Sequence, residues 1–351
     1  MLLWVLNAGR TMNYFHYNNA FTSEQGAILP GLTIAYHTYG TLNAEKNNVV
    51  WVCHALTSNS AVADWWPGVV GENTVIDPAK YFIVCANILG SCYGSSGPAT
   101  NDPATGETYY NRFPAITIRD MVHAHILLRK HLHIENIYLL MAGSMGGYQA
   151  LEWSVMEPEN IQNLFLITTS AAESAWGIAI HTAQRLAIEA DPTWTNHSRD
   201  AGQSGLKAAR AIGIVTYRNY NLLVEKQSDA DAEKMDHFKA ESYIKYQGKK
   251  LADRFSVHSY WLLTKAMDSH NLARGRNKTI EQVLQSIKQK TLIVGITSDI
   301  LCPVVEQKFI AAHLPNATFR EIDSLYGHDG FLIESKKISH LLSAWMDNRD
   351  M

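Results

Sequence analysis

The stretch Ile137-Tyr-Leu-Leu-Met-Ala-Gly-Ser-Met-Gly-Gly-Tyr-Gln-Ala-Leu-Glu-Trp153 joins an apolar run, a turn of small residues and a helix-forming run. This order is typical of a strand-to-helix elbow, which exposes the hydroxyl of the apical serine, Ser144, at the carboxyl end of a sheet. Ala142, Gly146 and Gly147 are small enough for the turn to close. The following helix would direct free N–H groups at the site, where they stabilise negative charge. The stretch therefore predicts Ser144 as a nucleophile; the alternative is a glycine-rich turn with an incidental serine.

Two later segments supply the acid and the base that such a serine needs. On an elbow of this kind, the acid and then the histidine follow the serine along the chain. Asp299 follows the strand-like run Thr291–Thr297, and His328 follows the run Ala317–Asp323. One histidine among fifteen carries little information by itself. A histidine after the last strand, downstream of a loop aspartate and an elbow serine, predicts a catalytic triad.

The chemistry of each residue type assigns the roles within this triad. His328 would accept the proton of Ser144, because a serine hydroxyl is a weak nucleophile at its own pKa. Asp299 would hold the imidazole in the required tautomer and stabilise the imidazolium. The tetrahedral oxyanion needs two donors, and the first predicted donor is the backbone N–H of Met145, directly after the nucleophile.

The second oxyanion donor is expected from the loop that follows an early strand. Val49–Cys53 is such a strand, and His54-Ala-Leu-Thr57 is its loop. The backbone N–H of Leu56 is therefore the candidate. The alternative for this loop is an ordinary strand-to-loop junction.

Strand-like and helical segments alternate along much of the chain. This alternation predicts an α/β fold, in which a mostly parallel sheet is flanked by helices on both faces. The predicted strands are Leu32–Thr38, Val49–Cys53, Tyr81–Cys85, Ile137–Met141, Ile161–Thr168, Thr291–Thr297 and Thr318–Ile322. The predicted helices are Ile118–His131, Gln149–Met156, Ile178–Ala190, Gly205–Tyr217, Ala230–Tyr246 and Val257–Ser269.

The strand pattern stops between residues 170 and 290, where the segments are helical and more polar. We interpret residues 171–290 as an inserted helical lid, which could wall off the serine and form a tunnel. The predicted core then consists of residues 13–170 and 291–351, and residues 1–12 form an N-terminal extension.

Composition narrows the class of protein. The 351 residues are 46% apolar, and the net charge of −3 without a basic stripe argues against a nucleic-acid partner. The cysteines form neither a CxxC motif nor a disulfide framework, so they predict reduced thiols in a cytoplasmic protein. The apolar start Met1–Leu6 is too short for a secretory signal or a membrane span, and no other stretch reaches transmembrane length.

Blocks of sequence in a specific order extend this interpretation. They are Ala35–Asn43, His54–Thr57, Asp64–Trp66, Cys85–Pro98, Phe113–Val122, Ala142–Gly147, Ser298–Asp299 and Tyr326–Asp329. Together they resemble the homoserine O-acyltransferase family of the α/β-hydrolase superfamily, chiefly the homoserine O-acetyltransferases of methionine biosynthesis. The resemblance runs from about Leu32 to the end of the chain and implies an α/β-hydrolase fold. Ala142, Tyr148 and Cys302 depart from residues that are usual in the family. We expect these changes to affect the pocket wall and to leave the triad undisturbed.

The resemblance also implies substrate-binding residues. Arg210 resembles the family's arginine that binds the homoserine carboxylate, and Arg218 is the alternative. Asp329 resembles the residue that takes the substrate ammonium. These pairings suit the groups involved, because a planar guanidinium matches a carboxylate and a carboxylate matches an ammonium. Without the resemblance, these residues would be interpreted as solvated surface charges.

The implied reaction is a double displacement in which acetyl-CoA acylates Ser144 and L-homoserine takes the acetyl group to give O-acetyl-L-homoserine. Acetyl-CoA would be a co-substrate, with no metal and no tightly bound cofactor. The same mechanism with succinyl-CoA or L-serine, a serine esterase, and a non-catalytic binding protein are the alternatives. The resemblance further implies a homodimer formed partly through the helical insert.

Overall fold

An eight-stranded sheet lies at the centre of the structure, a computed structural model that describes residues 11–348. Its order is β1-β4-β6-β5-β7-β8-β9-β10, with β1 Asn13–Tyr17, β4 Leu32–Tyr39, β5 Val49–Cys53, β6 Phe82–Ala86, β7 Ile137–Gly143, β8 Ile161–Ile167, β9 Lys290–Ile296 and β10 Ala317–Ile322. A separate pair consists of β2 Phe21–Thr22 and β3 Ile28–Leu29. The strands from β6 to β10 pair in parallel, whereas β4 is antiparallel to both β1 and β6.

Helices cover this sheet and fill the interval between β8 and β9. They are α1 Val62–Trp65, α2 Ile118–His131, α3 Met145–Met156, α4 Ala175–Glu189, α5 Gln203–Tyr217, α6 Tyr220–Gln227, α7 Lys239–Ala252, α8 Val257–Asp268, α9 Ile280–Leu284, α10 Val304–His313, α11 Gly330–Ile333 and α12 Ser335–Met346. The predicted α/β fold with a mostly parallel sheet is thereby confirmed. Among residues 11–348, no helix combines the length and apolar character needed to cross a bilayer.

The central strand β5 shows how side chains divide the core into two layers. Successive side chains of a strand point to opposite faces. Val49, Trp51 and Cys53 belong to the apolar layer that contains side chains of α2 and α3. Val50 and Val52 belong to the layer that contains side chains of α12. Because both faces of β5 are covered, the whole strand is apolar and buried, as expected for a central parallel strand.

The strand order places the carboxyl ends of β5 and β7 side by side. The chain leaves β5 toward β6 on one side, and it leaves β7 toward β8 on the other. Ligands of open α/β sheets bind in the crevice at such a reversal of strand order. The His54–Thr57 loop follows β5 and Ser144 follows β7, so both border this crevice.

The structure corrects two boundaries of the sequence prediction and adds a strand. Helix α3 begins at Met145, immediately after Ser144, and not at Gln149. The N-terminal strand β1 and its antiparallel pairing were missed. The predicted helix Ala230–Tyr246 is wrong in its first half, because residues 230–238 are not helical and α7 begins at Lys239.

Contacts of Asp229 account for the non-helical segment before α7. Its carboxylate accepts a hydrogen bond from the backbone N–H of Lys239 at 2.9 Å and pairs with Lys234 at 2.5 Å. Such side-chain bonds to the backbone compete with helix formation. Helices α4 to α9 nevertheless occupy the predicted insert. The proposed division into a core and an insert at residues 170 and 291 stays a prediction. The N-terminal extension 1–12 also stays a prediction, and its residues 1–10 lie outside the described residues.

Candidate active site

Ser144 lies on a strained turn between β7 and α3. Its backbone adopts φ 55° and ψ −132°, in the left-handed half of conformational space that a non-glycine residue rarely occupies. A β carbon at Gly146 would approach the carbonyl oxygen of Cys53 to 2.2 Å, and one at Gly147 would approach Thr169 Oγ1 to 2.2 Å. The turn therefore requires glycine at both positions, while the buried Ala142 still fits its strand.

The three predicted triad residues meet at the carboxyl end of the sheet. Ser144 Oγ lies 2.9 Å from His328 Nε2, and His328 Nδ1 lies 2.7 Å from Asp299 Oδ2. All three side chains are buried, and Ser144 is 8% exposed. Since a carboxylate only accepts, Nδ1 donates to Asp299 and leaves Nε2 free to take the serine proton.

Backbone groups hold Asp299 in place. Its Oδ1 accepts hydrogen bonds from the N–H groups of Leu301 at 2.8 Å and Cys302 at 2.9 Å. Burial of the His328 imidazole disfavours its charged form, but the neighbouring Asp299 carboxylate more than offsets this and raises the pKa of His328. The histidine is therefore a stronger base than an ordinary imidazole.

A cavity of about 530 Å³ opens onto Ser144. Its lining also includes Leu56, Arg210, His328 and Asp329, so it brings together predicted residues from the core and from the helical insert. A neighbouring cavity of about 650 Å³ shares Arg254 with it but has no triad residue in its lining. Chemistry at Ser144 belongs to the smaller cavity.

The two predicted oxyanion donors belong to different elements near Ser144. Met145 is the first residue of α3, and Leu56 lines the cavity. The hydrogen bonds of residues 11–348 leave the N–H groups of both residues without a protein acceptor. Both amides are therefore available to a substrate oxygen.

The two candidate arginines have different surroundings. Arg210 lines the cavity, and its guanidinium carbon lies 5.1 Å from the centre of the Tyr217 ring. Arg218 is outside the cavity lining; its Nη1 pairs with Asp329 Oδ2 at 2.8 Å, and its Nε donates to Tyr243 at 3.1 Å. Arg210 is thus the better placed of the two, and one oxygen of Asp329 is already engaged.

Sequence reasoning missed several residues of the cavity wall. Tyr217 lies with its ring centre 5.7 Å from that of His328, and burial raises the pKa of its phenol. Lys250 and Arg254 add positive charge from the end of α7. No local motif distinguishes these side chains, because only packing of the insert onto the core brings them to the site. Asp64 and Trp65, which belong to the Asp64–Trp66 block, could have been assigned from that block.

Three side chains at the site have donor atoms that a metal ion could use. Atoms of Asp299, Cys302 and His328 lie within 4.8 Å of one another. However, Asp299 and His328 are already hydrogen-bonded to each other, and burial raises the pKa of the Cys302 thiol, which disfavours the thiolate that metals bind. The arrangement suits a proton-transfer triad better than a metal centre.

Comparisons with known proteins agree with this geometry. The model of the alpha/beta hydrolase fold matches residues 48–335. A homoserine O-acetyltransferase from Cyclobacterium marinum is 45% identical over 335 residues, covering 95% of each chain. A solved homoserine O-acetyltransferase from Bacillus anthracis superposes with a TM-score of 0.86 at 23% identity, covering 95% of this chain and 97% of its own.

An acetylester hydrolase from Corynebacterium glutamicum superposes almost as well, with a TM-score of 0.85 at 22% identity and coverage of 96% of each chain. Structural matches at such low identity establish the fold alone, and the fold serves both transfer and hydrolysis. The sequence relationship is much closer and spans nearly the whole length of both chains. On that basis, this chain belongs to the homoserine O-acetyltransferase family within the α/β-hydrolase fold.

Proposed function

We propose that the protein transfers an acetyl group from acetyl-CoA to the hydroxyl of L-homoserine, giving O-acetyl-L-homoserine for methionine biosynthesis. One observation carries this proposal: a hydrogen-bonded Ser144–His328–Asp299 triad faces a cavity that Arg210 and Asp329 also line. Relatives that are 40–45% identical over nearly the full chain and bear the name homoserine O-acetyltransferase support the same substrates.

The first half-reaction would acylate Ser144. His328 Nε2 takes the serine proton while Oγ attacks the thioester carbonyl carbon. The N–H groups of Leu56 and Met145 stabilise the resulting oxyanion, and loss of one such donor typically costs about 10²–10³ in rate. The C–S bond then breaks, the departing sulfur receives the proton from His328, and acetyl-Ser144 remains.

The second half-reaction would pass the acetyl group to the acceptor. The homoserine hydroxyl gives its proton to His328 while the hydroxyl oxygen attacks the carbonyl carbon of acetyl-Ser144. The tetrahedral intermediate collapses, Ser144 Oγ leaves, and His328 returns the proton to it. Water could follow the same course, so transfer depends on positioning the acceptor and excluding water.

Acceptor positioning is assigned to Arg210 and Asp329. Arg210 presents a planar fork of donors to the homoserine carboxylate. Asp329 Oδ2 is engaged by Arg218, so its other oxygen, Oδ1, is proposed to accept the substrate ammonium. Arg218 would then fix the direction of Asp329 rather than bind substrate itself.

A serine esterase is the second candidate, and the similarity in fold to an acetylester hydrolase favours keeping it. It needs the triad and oxyanion donors but neither Arg210 nor Asp329. Succinyl-CoA as donor or L-serine as acceptor would retain the whole mechanism and change only the fit of the substrate to the cavity. Tyr148 and Cys302, which the sequence led us to expect at the pocket wall, are buried residues outside the lining of this cavity.

We also propose an assembly and a location for the protein. Apolar side chains of the helical insert are exposed, among them Leu186 at 59%, Val215 at 56%, Tyr220 at 77% and Met235 at 92%. A homodimer formed partly through the insert would cover such a surface. All four cysteines are free, which suits a reducing cytoplasm. We further propose that catalysis uses no metal or tightly bound cofactor.

The decisive experiment measures CoA release by the purified protein from acetyl-CoA or succinyl-CoA, with and without L-homoserine or L-serine. Release that requires acetyl-CoA together with L-homoserine, and vanishes in Ser144→Ala, is the expected result. Release that ignores the acceptor would identify a hydrolase. Release only with succinyl-CoA or L-serine would keep the mechanism and replace the substrates.

A further inference from the structure

The peptide unit between Ala55 and Leu56 carries one of the two proposed oxyanion donors, the Leu56 N–H, and its carbonyl group is hydrogen-bonded to a buried histidine. His54 Nδ1 lies 2.8 Å from the carbonyl oxygen of Ala55, and the His54 side chain is fully buried. That carbonyl and the N–H of Leu56 belong to the same peptide unit. Whatever orients the carbonyl therefore orients the N–H as well.

The hydrogen bonds of His54 determine which nitrogen carries its proton. The backbone N–H of Ile88 points to Nε2 at 3.1 Å, and a backbone N–H can only donate. Nε2 must then be the unprotonated nitrogen, so the single proton of the neutral ring lies on Nδ1. Since the Ala55 carbonyl can only accept, Nδ1–H donates to it. Two independent contacts thus agree on one tautomer.

The geometry of the peptide carries this constraint across to the active site. A trans peptide is planar, with its C=O and N–H pointing in opposite directions, and residues 11–348 contain no cis peptide bond. A carbonyl fixed toward the His54 ring directs the Leu56 N–H away from that ring. Ala55, Leu56 and Ser144 all line the cavity, and the Leu56 N–H has no acceptor among residues 11–348.

We propose that His54 is a positioning residue that locks the Ala55–Leu56 peptide plane so that the Leu56 N–H is directed at the oxyanion. The hydrogen bond also polarises the peptide, which strengthens its N–H as a donor. This inference rests on the proposed function in one respect, namely that Ser144 is the nucleophile. It does not depend on which donor or acceptor the enzyme uses.

Gln149 of α3 ties the same loop to the helix that follows the nucleophile. Its side-chain nitrogen donates to the carbonyl of His54 at 3.2 Å and to that of Met145 at 3.3 Å. Its side-chain oxygen accepts from His125 Nε2 at 3.0 Å, which fixes the direction of the amide. The elements bearing the Leu56 and Met145 donors are therefore held at a fixed separation.

His54 stays neutral, and so keeps its hydrogen bond to Ala55, across the pH range in which the enzyme would operate. Burial in an apolar surrounding lowers the pKa of His54 to about 4, and the charge of His125 would add to the same direction. The ring consequently stays neutral while His328, whose pKa is raised, titrates. Loss of activity on acidification would reflect His328 and not His54.

Matched amide variants separate positioning from packing. His54→Asn can place an amide nitrogen near the position of Nδ1 and keep the bond to Ala55. His54→Gln places its amide near the position of Nε2, where it can still accept from Ile88 but cannot reach the Ala55 carbonyl in the same way. Both variants bury one neutral amide, so a purely structural role predicts similar defects in the two.

The measurement is the pre-steady-state burst of 4-nitrophenol from 4-nitrophenyl acetate, together with KM and the thermal midpoint. We expect His54→Gln to slow acylation by about 10², the cost of a lost oxyanion donor, with little change in KM, and His54→Asn to slow it less than about tenfold. Equal rates in the two variants, or a defect that appears only in KM or thermal midpoint, would overturn the inference.

The assay also separates this inference from the proposed substrates. A Ser144-dependent burst followed by steady-state turnover that L-homoserine does not accelerate would contradict homoserine transfer, while the role of His54 would still be decided by the same comparison of variants. Absence of any Ser144-dependent release of 4-nitrophenol by the wild-type protein would overturn both; if release depends on Ser144 without a burst, acylation limits the steady-state rate and the variants are compared by that rate.

Discussion

The active site draws on two regions that are built differently. The core contributes Ser144, Asp299 and His328, which are all buried and joined by hydrogen bonds of 2.7 and 2.9 Å. The insert contributes Arg210 and Arg218, which lie half-buried on or just after one helix. The core residues sit at strand ends that the sheet fixes, whereas the arginines depend on how the insert packs.

This difference implies a division of labour. In the proposed reaction, the core region would perform acylation, and the insert region would decide which nucleophile completes the reaction. Variants in the core should therefore abolish transfer and hydrolysis together, and variants in the insert should separate them.

Ser144→Ala is the strongest test of the core region. Removing the nucleophile should lower both CoA release and ester hydrolysis by about 10⁴-fold or more, because the triad acts as a unit. Activities are measured with acetyl-CoA plus L-homoserine and with 4-nitrophenyl acetate. An unchanged thermal midpoint is the control for folding, and substantial remaining turnover would mean that another group attacks the substrate.

Asp299→Asn should have the next largest effect and should also move the pH profile. The neutral amide no longer enforces the productive imidazole tautomer, and a loss of about 10⁴ in kcat is expected by analogy with other triads. In the wild-type protein, activity falls as acid protonates His328, at a midpoint above 6.5 because Asp299 raises that pKa. In Asp299→Asn the carboxylate that raises the His328 pKa is gone, whereas burial, which lowers that pKa, remains. The acidic limb of the variant's pH profile should therefore shift to lower pH.

A profile of kcat/KM against pH checks this shift in the residual activity. An acidic limb that stays in place or moves upward in Asp299→Asn would mean that His328 is not the titrating base.

Arg210→Gln should separate transfer from hydrolysis. Losing a charge-assisted partner of the homoserine carboxylate costs about 2–4 kcal/mol, or roughly 30- to 10³-fold in kcat/KM for the acceptor. Hydrolysis of 4-nitrophenyl acetate should change less than about threefold, since Arg210 touches no reacting atom in that reaction.

Arg218→Gln is the matched control for Arg210→Gln. Arg218 pairs with Asp329 but does not line the cavity, so we expect a weaker acceptor defect than for Arg210. If Arg218→Gln impaired the acceptor reaction more than Arg210→Gln, the alternative assignment of the carboxylate-binding arginine would be preferred.

The contrast between the two regions also explains what the sequence could predict. The elbow around Ser144 is visible in a short stretch of sequence, because Gly146 and Gly147 stand directly after the nucleophile, although the backbone of Cys53 and the side chain of Thr169 that require glycine there come from other strands and loops. Asp299 and His328 follow strands whose apolar runs are visible in the sequence, and parallel strands bring their carboxyl ends to one edge. Such features depend on short-range sequence and on one topological rule.

The remaining features depend on long-range packing and were not visible in any pattern. Tyr217 reaches His328 only because α5 packs beside the Gly327–Asp329 turn, and Lys250 and Arg254 reach the cavity from a different helix. The pairing of Arg218 with Asp329 joins residues more than a hundred positions apart. Where a helix was predicted from Ala230, residues 230–238 are not helical, and Asp229 instead binds the backbone N–H of Lys239, the first residue of α7.

Tyr148→Phe tests a hydrogen-bonded contact between the core and the insert, and it should affect stability more than catalysis. The Tyr148 hydroxyl accepts from Ser170 at 3.2 Å, at the end of the core segment, and donates to Glu173 at 3.0 Å, at the start of the insert. Glu173 is buried, with His181 and Asp268 of the insert nearby, and burial raises the pKa of its carboxyl above the usual value. Removing the hydroxyl should lower the free energy of unfolding by about 1–3 kcal/mol, since a buried carboxylate loses its donor.

The sign of the pH dependence makes this last prediction specific. Because the folded-state pKa of Glu173 is raised, the folded protein holds the proton more tightly than the unfolded chain, and its stability falls as pH rises between the two pKa values. Tyr148→Phe removes a donor that favours the ionised form, so its cost should be larger at pH 8 than at pH 5. Urea unfolding of Tyr148→Phe in the wild-type and Glu173→Gln backgrounds isolates the effect from His181 and Asp268. If the cost of Tyr148→Phe in unfolding free energy stayed pH-dependent in the Glu173→Gln background, a group other than Glu173 would be its origin. A large loss of kcat in Tyr148→Phe would mean that this contact between core and insert also affects the chemistry at the triad.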